Sequence, residues 1–196
     1  CNLTLWWFSI MRHILDPMTS VIRLYVDHPL VAGQSVPLTV KQSHYLFRVM
    51  RKGVGEKLEV FNGVDGEWSA EIIQAGRKSG ILRCRNMSRP LLLPPDLWLM
   101  FAPLKKSRSN FLVEKATEMG ASQIMPITTD FTNLERIRQD SLQSQAVEAA
   151  EQCGGTYVPS VLDLQKLSNV LDVWDDRKIM FCDETFAGNT VDLSHS

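Results

Sequence analysis

Three basic side chains lie where an open α/β sheet would bind an anion. Lys105, Lys106 and Arg108 come directly after the apolar run 97–102 and at the start of a predicted helix. Ligands of open α/β sheets bind at the carboxyl ends of the strands, and the N-terminal ends of helices attract anions. The cluster therefore predicts a site for phosphate groups. For any one of these lysines, a charged tip of a surface loop is the alternative.

A second basic group is predicted on one helix in the first half of the chain. His44, Arg48 and Arg51 follow one another at intervals of four and three residues, so a helix would carry all three on one face. Guanidinium groups bind phosphates through paired hydrogen bonds and stack on bases. The spacing favours nucleic-acid binding, and the alternative is a solvated cationic helix face.

Two helices are predicted to end in an acidic side chain followed by a glycine. Glu118 precedes Gly120, and Glu151 precedes Gly154. Glycine most easily takes the left-handed conformation that ends a helix, whereas a carboxylate in the last turn opposes the helix macrodipole. Helix stability alone would favour Lys or Arg at both positions. Their occurrence together indicates another role, although either one alone could be an ordinary solvated helix end.

Several common classes of enzyme have no support in the sequence. The chain has no GxGxxG, GxxxxGK[ST], HExxH or GxSxG pattern, which are typical of dinucleotide-binding proteins, P-loop proteins, zinc proteases and serine hydrolases. Its four cysteines show no metal-ligand spacing, and its four histidines are far apart. We therefore expect no metal site and no disulfide framework, and reduced thiols favour a cytoplasmic protein.

Charge is distributed unevenly along the chain. The 196 residues carry a formal net charge of −1, but residues 41–115 contain fourteen Lys and Arg against seven Asp and Glu, and residues 116–196 contain five against thirteen. A basic part joined to an acidic part indicates a surface that binds a polyanion, because phosphate neutralisation dominates nucleic-acid affinity. Chance fluctuation of charge is the alternative.

The first half of the chain is predicted to be rich in strands. Short β-branched and aromatic runs, separated by glycine-containing turns, are typical of a small barrel. Thr39 and Gln42 form the pattern of a helix capping box, so a helix is expected to begin there. Its inward side chains are predicted to be Tyr45 or Leu46, and Val49. The predicted strands are 21–26, 57–62, 67–74 and 80–85.

A proline-rich segment separates this half from the rest. Residues 89–95 contain three prolines, which cannot lie inside a helix or a sheet ladder. We interpret them as a linker between a domain at 18–88 and a domain at 96–196. Strands and helices alternate in the second domain, which predicts βαβ units on a mostly parallel sheet. The predicted strands are 97–102, 123–128, 158–162 and 177–182, and the predicted helices are 108–119, 135–152 and 164–174.

The first 17 residues differ from the rest of the chain. They include Trp6, Trp7 and Phe8, but the apolar stretch is shorter than the roughly 20 residues that span a bilayer. It also lacks the charged start and the small-residue cleavage site of a secretion signal. Because the chain begins with Cys and has a methionine at Met18, we expect residues 1–17 to be a non-native upstream segment. We expect no membrane association.

Several segments, taken together, resemble a known enzyme family in their order and spacing. They are 44–51, 54–63, 105–108, 113–120, 126–129, 148–154 and 158–159. Over about positions 20 to 184 the chain is similar to the bacterial ribosomal RNA small subunit methyltransferase E family, which belongs to the knotted SPOUT class. The resemblance implies an α+β architecture, in which a PUA-like RNA-binding β-barrel is followed by a SPOUT-type α/β domain.

The resemblance also implies an activity. Members of the family transfer a methyl group from S-adenosyl-L-methionine to N3 of a uridine in 16S rRNA, a step of ribosome biogenesis that needs no metal. The implied partners are 16S rRNA in the small ribosomal subunit and a second copy of the chain, in a homodimer formed through the knot. The resemblance favours RNA binding for His44, Arg48 and Arg51, and the position of Lys105, Lys106 and Arg108 at a helix start predicts RNA binding for them.

Three residues are candidates for the chemistry of this reaction. The uridine must lose its N3 proton, and preorganised positive charge beside the developing anion is usually the largest catalytic effect. Arg108 is our candidate for that charge. Glu114 and Glu118 are candidates for orienting Arg108 or a backbone donor, and a pair on a wet helix surface is the alternative for Glu114. Cys153 is expected to be a small buried residue rather than a nucleophile.

The chain departs from the family pattern at its C-terminal end. Members continue beyond the strand at 178–182 into a Gly-Pro-Glu-Gly-Gly loop and a later Leu-Arg-Thr-Glu-Thr-type segment, which form the knot and most of the methyl-donor pocket. Here Cys182, Asp183 and Glu184 supply only the first wall of that pocket. We therefore expect a truncated SPOUT domain whose C-terminal knot is missing, and an inactive chain.

Two alternatives to this enzyme remain open. One is a non-catalytic RNA-binding protein that retains the basic barrel, and the other is an unrelated α/β enzyme that uses a nucleotide cofactor.

Overall fold

A computed structural model describes residues 21–130, 132 and 136–182 of the chain. The segment 1–17, which we expect to be non-native, lies outside the described residues, and so do Asp183 and Glu184. The mixed α/β class that the sequence predicts is confirmed. One sheet lies on each side of residues 90–97, which contain no helix or strand.

The N-terminal half forms a curled sheet of five strands. They are β1 (Arg23–Tyr25), β2 (Ser35–Pro37), β3 (Lys57–Phe61), β4 (Glu67–Ala75) and β5 (Gly80–Arg89). The strand order is β1-β3-β4-β5-β2, in which β1 is parallel to β3 and the other pairs are antiparallel. Alternate residues of each strand point to the same face, and one face forms an apolar core. That core includes Val36, Leu58, Val60, Ile72 and Leu82, all fully buried.

A helix begins between β2 and β3 at the capping box that the sequence predicts. α1 (Val40–His44) starts after Thr39, whose hydroxyl accepts the N–H of Gln42 at 3.3 Å. The side chain of Gln42 in turn accepts the N–H of Thr39 at 2.9 Å. Two N–H groups that lack a partner inside the helix are satisfied in this way.

The helix continues as one π-helical turn, Tyr45–Val49, and this changes which side chains face the core. A π-helical turn contains more residues than an α-helical turn, so the apolar stripe shifts along the sequence. Leu46 is fully buried, but Val49, which the sequence predicts to face inward, is 58% exposed. The helix ends before Arg51, which has a left-handed φ of 55°. The spacing of Arg51 predicts a place on the helical face of His44. Because the helix ends before Arg51, this prediction is wrong.

The C-terminal half forms a parallel sheet with helices on both faces, which confirms the predicted α/β layer. Its central strand β7 (Gln123–Thr128) pairs on one side with β6 (Trp98–Phe101), and on the other with β8 (Ser160–Val161) and β9 (Gln165–Lys166). Three helices connect or follow these strands. They are α2 (Lys106–Glu118), α3 (Gln139–Cys153) and α4 (Leu167–Asp172).

Two apolar layers sandwich the parallel sheet. α2 and α3 pack on one face, where Val113 and Ala146 contribute to a buried cluster with Ile124 of β7. α4 covers the other face, where Val170 packs with Ile127. α3 has 15 residues, and no helix in the described part of the chain has the length and apolarity to cross a membrane.

The predicted strand at 177–182 is wrong for the residues that the structure describes. Residues 178–182 pair with none of the described strands, and Ile179, Met180 and Phe181 are exposed. A strand is stable only where a neighbour satisfies its backbone groups. The apolar composition of this run therefore does not produce a strand here.

Candidate nucleic-acid interface

Two arginines and one glutamate form a buried ionic cluster at the boundary between the two halves. Nε of Arg23, on β1, donates to Oε2 of Glu67, on β4, at 2.5 Å. Arg89, at the end of β5, donates to both carboxylate oxygens of Glu67 at 2.7 and 2.8 Å. The side chains of Arg23 and Glu67 are only 8% and 4% exposed. Charges so deeply buried are tolerated only when hydrogen bonds satisfy them fully.

The other guanidinium N–H groups of this cluster bind the C-terminal end of α3. Arg23 donates to three backbone carbonyls and Arg89 to a fourth, at 2.7 to 2.9 Å. These carbonyls belong to Ala150, Glu151, Gly155 and, for Arg89, Gly154. The last carbonyls of a helix lack partners inside it and carry partial negative charge, so two guanidinium groups satisfy and stabilise them.

Glu151 also joins the two halves. Its carboxylate accepts the backbone N–H of Tyr25, on the edge strand β1, at 2.7 Å. Burial raises the pKa of Glu151 above its ordinary value, even though this hydrogen bond and the charge of Arg23 act in the opposite direction. The acid that the sequence places in an unfavourable helix end therefore docks α3 on the curled sheet. The arginines of the ionic cluster compensate the macrodipole there.

The basic residues predicted to bind RNA lie on the surface of both halves. His44, Arg48 and Arg51 of the N-terminal half are exposed, and so are Lys105, Lys106 and Arg108 at the start of α2. None of the six forms an ion pair with another described residue. The charges of the Lys and Arg side chains among them are therefore available to a polyanion.

The cluster at the start of α2 is divided between two sides of the helix. Lys106 lines a cavity between α2 and the first turn of α3. Arg108 lines an apolar groove between α2 and β6, together with Phe111, Lys115 and Met119. Successive helical residues are about 100° apart, so side chains two residues apart point in nearly opposite directions. Lys106 and Arg108 therefore do not converge on one site.

Glu114 and Glu118 bind Lys115 rather than Arg108. The ammonium of Lys115 lies 2.9 Å from a carboxylate oxygen of Glu114 and 2.8 Å from one of Glu118. The hydrogen bonds to Glu118 and Glu114 raise the pKa of Lys115. Arg108 lies ten positions before Glu118, roughly 15 Å along the helix axis. The structure does not bring the three candidate catalytic residues together.

The cysteines are placed in contrasting surroundings. Cys153 is half-buried in a small cleft between the two halves, beside Arg89 and Glu118. Burial raises the pKa of its thiol, which opposes formation of a nucleophilic thiolate. Cys182, the one described residue of the predicted donor wall, is exposed to solvent.

The ionic cluster could not be identified from the sequence pattern. Arg23, Glu67 and Arg89 are charged residues within strands, where alternation ordinarily places charge on the solvent face. The only local signal is charge of both signs inside short strands, and it does not reveal that residues 44 and 22 positions apart meet.

Comparison with known proteins agrees with this two-part architecture. A family model described as an RNA methyltransferase domain matches residues 92–195, more than half of the chain, and one described as an RNA methyltransferase PUA domain matches residues 38–83. The ribosomal RNA small subunit methyltransferase E of Rickettsia conorii is 27% identical over 131 residues. The chain belongs to the ribosomal RNA small subunit methyltransferase E family.

The relatives in this family are longer than the matched part of the chain. The Rickettsia match covers 66% of this chain and 54% of the relative, and a Synechocystis member, 30% identical over 141 residues, is matched over 71% of this chain and 46% of its own length. The chain thus spans about half the length of these curated relatives. The family member from Neisseria gonorrhoeae, solved bound to S-adenosyl methionine, shares the fold at a TM-score of 0.73 and 20% identity, over 80% of this chain and 67% of that one.

The ionic cluster makes a first prediction about stability. Glu67→Gln leaves two arginines without their buried counter-charge, and breaking a buried pair in this way costs about 3–5 kcal/mol. Glu71→Gln is the matched control on the same strand, because its partner Arg85 is solvent-exposed and such pairs contribute at most about 1 kcal/mol. Urea denaturation at neutral pH measures both free energies of unfolding. Equal losses would contradict a dominant role for the cluster.

The stabilisation by Glu67 should also depend on pH. Burial alone would raise the pKa of Glu67, but the hydrogen bond from Arg89 and the charges of both arginines outweigh it, so the pKa lies below the ordinary 4.5. The stability that ionised Glu67 provides is therefore complete above pH 4.5 and is lost as the pH falls through its folded pKa. In thermal melts at decreasing pH, the difference in stability between wild type and Glu67→Gln should shrink as the pH falls through the folded pKa of Glu67. A difference that is independent of pH would refute this assignment.

Proposed function

We propose that this protein methylates N3 of a uridine in the 16S rRNA of the small ribosomal subunit, with S-adenosyl-L-methionine as the methyl donor. Membership of the family supports this activity. The structural observation that carries it is the buried cluster of Arg23, Glu67 and Arg89, which fixes two halves with exposed basic side chains into one unit. One RNA can then contact both halves at a defined spacing.

The two halves have separate tasks in this proposal. The domain at 18–88 binds rRNA through His44, Arg48 and Arg51, and the domain at 96–196 carries out methyl transfer. Residues 89–95 link them, and Arg89 within this linker contributes directly to the ionic cluster. The proposed assembly is the homodimer implied by the family, in the cytoplasm, where small ribosomal subunits function.

Positive charge at the start of α2 has two proposed uses. Lys105 and Lys106 hold backbone phosphates, for which exposed ammonium groups at a helix N-terminus are suited. Arg108 stabilises the uridine anion formed when N3 loses its proton. Glu114 and Glu118 act indirectly, because they hold the ammonium of Lys115, which lines the same groove as Arg108.

The methyl donor supplies the group that is transferred, and Cys182 is the part of its proposed wall that lies among the described residues. Cys182 is exposed and has no enclosing partner among them, and Asp183 and Glu184 lie outside that part of the chain. A small ligand of this kind needs roughly 70–90% of its surface covered. The described residues therefore support steps that hold and orient the RNA.

RNA binding by the curled sheet is tested by charge reversal. Arg48→Glu with Arg51→Glu should weaken binding to small-subunit rRNA and lower the salt slope by roughly 1.4–1.8, because each lost phosphate contact removes about 0.7–0.9. Arg83→Glu with Arg85→Glu makes the same charge change on β5. A filter-binding salt titration compares the three proteins. An unchanged slope for the first pair, or an equal fall for the control pair, would contradict the assignment.

Methyl transfer is tested on undermethylated small subunits with labelled donor. The 196-residue chain is compared with a chimaera that continues it with the C-terminal part of the Rickettsia relative. We expect N3-methyluridine from whichever of the two proteins binds the donor and none from a protein that does not, because the donor supplies the transferred group. Donor affinity of both proteins is measured in parallel by calorimetry. A chimaera that binds RNA and donor but transfers no methyl group would favour a non-catalytic RNA-binding protein.

A further inference from the structure

A cavity of about 210 Å³ lies between the first turns of α2 and α3. Three cationic side chains line it, Lys106 from α2 and Arg136 and Arg138 from the segment that leads into α3. All three are exposed, so they reach the cavity from its solvent side. They come from segments thirty positions apart in the sequence, and their meeting is a property of the fold.

Among the residues that the structure describes, the charge at this cavity is predominantly uncompensated. Arg138 lies 3.1 Å from the carboxylate of Asp140, in a pair whose side chains are 78% and 70% exposed. Lys106 and Arg136 form no ion pair with any residue that the structure describes. In the described part of the chain, three cations at this cavity thus meet one carboxylate, and the remaining positive charge favours an anionic ligand.

The other walls of the cavity indicate the kind of anion. Its apolar part consists of Leu104, Ile137 and Leu142, and Ser109 and Ser141 add hydroxyl-bearing side chains. Its volume of about 210 Å³ is larger than a simple inorganic anion needs. Cations at one side and aliphatic side chains at the other match a phosphate joined to a sugar.

The backbone at this cavity adds to the preference for an anion. Lys105 and Arg138 are the N-cap residues of α2 and α3, and neither side chain accepts a hydrogen bond from the first turn of its helix. The N-terminal N–H groups of both helices consequently have no side-chain cap, and the helix dipoles favour negative charge there. This contribution is secondary to that of the three side chains.

We propose that this cavity binds one phosphodiester of the RNA substrate, through Lys106 and Arg136, with Arg138 completing the rim. The proposal rests on the proposed function, since it assigns a second anchoring point for the same RNA. The cavity lies in the α/β half, whereas Arg48 and Arg51 lie in the N-terminal half. The ionic cluster keeps the distance between the two anchoring points constant.

A salt titration of RNA binding tests the proposal with matched variants. Lys106→Gln with Arg136→Gln removes the two unpaired cations, and Lys166→Gln with Lys178→Gln removes two exposed cations elsewhere in the same half. The first pair should lower the salt slope by roughly 0.7, the share of one phosphate on a single strand. It should weaken binding to poly(U) and poly(A) equally, because a phosphate contact carries no base information. Arg136→Lys should retain the slope, and thermal melts verify folding.

Inorganic phosphate distinguishes a site for RNA from a site for free phosphate. At constant ionic strength, phosphate in place of chloride should weaken RNA binding by the wild type more than by the Lys106→Gln, Arg136→Gln variant. If the wild type binds RNA but the cavity variant and the control variant have equal salt slopes, this inference is overturned and the proposed function stands. A wild type that binds phosphate but no RNA would overturn both.

Discussion

The carboxylate of Glu67 is the group on which the arrangement of the two halves depends. It is almost completely buried between two guanidinium groups, and each of these also donates to backbone carbonyls at the end of α3. If the carboxylate is removed, both arginines lose their ion-pair partner, and the guanidinium of Arg23 stays buried. A buried ionic network of this kind is stable only when complete, so it favours a single orientation of one half on the other.

That orientation accounts for the unusual chemistry of α3. A glutamate in the last turn would ordinarily destabilise a helix. Here the carboxylate of Glu151 accepts a hydrogen bond from the N–H of Tyr25. The arginines of the cluster satisfy the same helix end. The exposed cations of the N-terminal half and of the start of α2 are thereby held at a fixed spacing. A polyanion that contacts a surface at several points requires such a spacing.

Local patterns predicted much of the fold, and contacts between distant residues explain what they missed. The capping box of Thr39 and the alternating order of strands and helices depend on neighbouring residues, so both were predictable and both are confirmed. The π-helical turn departs from the regular helical period on which the prediction for Val49 relied, so Leu46 is buried and Val49 is exposed. The separation of Lys106 from Arg108 follows from helix geometry once the helix start is known.

Amide hydrogen exchange at Tyr25 tests the central claim most directly, because its N–H donates across the boundary to Glu151. The neighbouring N–H of Val26 donates to Phe61 within the curled sheet and serves as an internal reference. If the ionic cluster holds the two halves together, both amides exchange slowly in the wild type, and Glu67→Gln accelerates Tyr25 far more than Val26. Rapid exchange of Tyr25 in the wild type, or an equal change at both amides in the variant, would contradict the account.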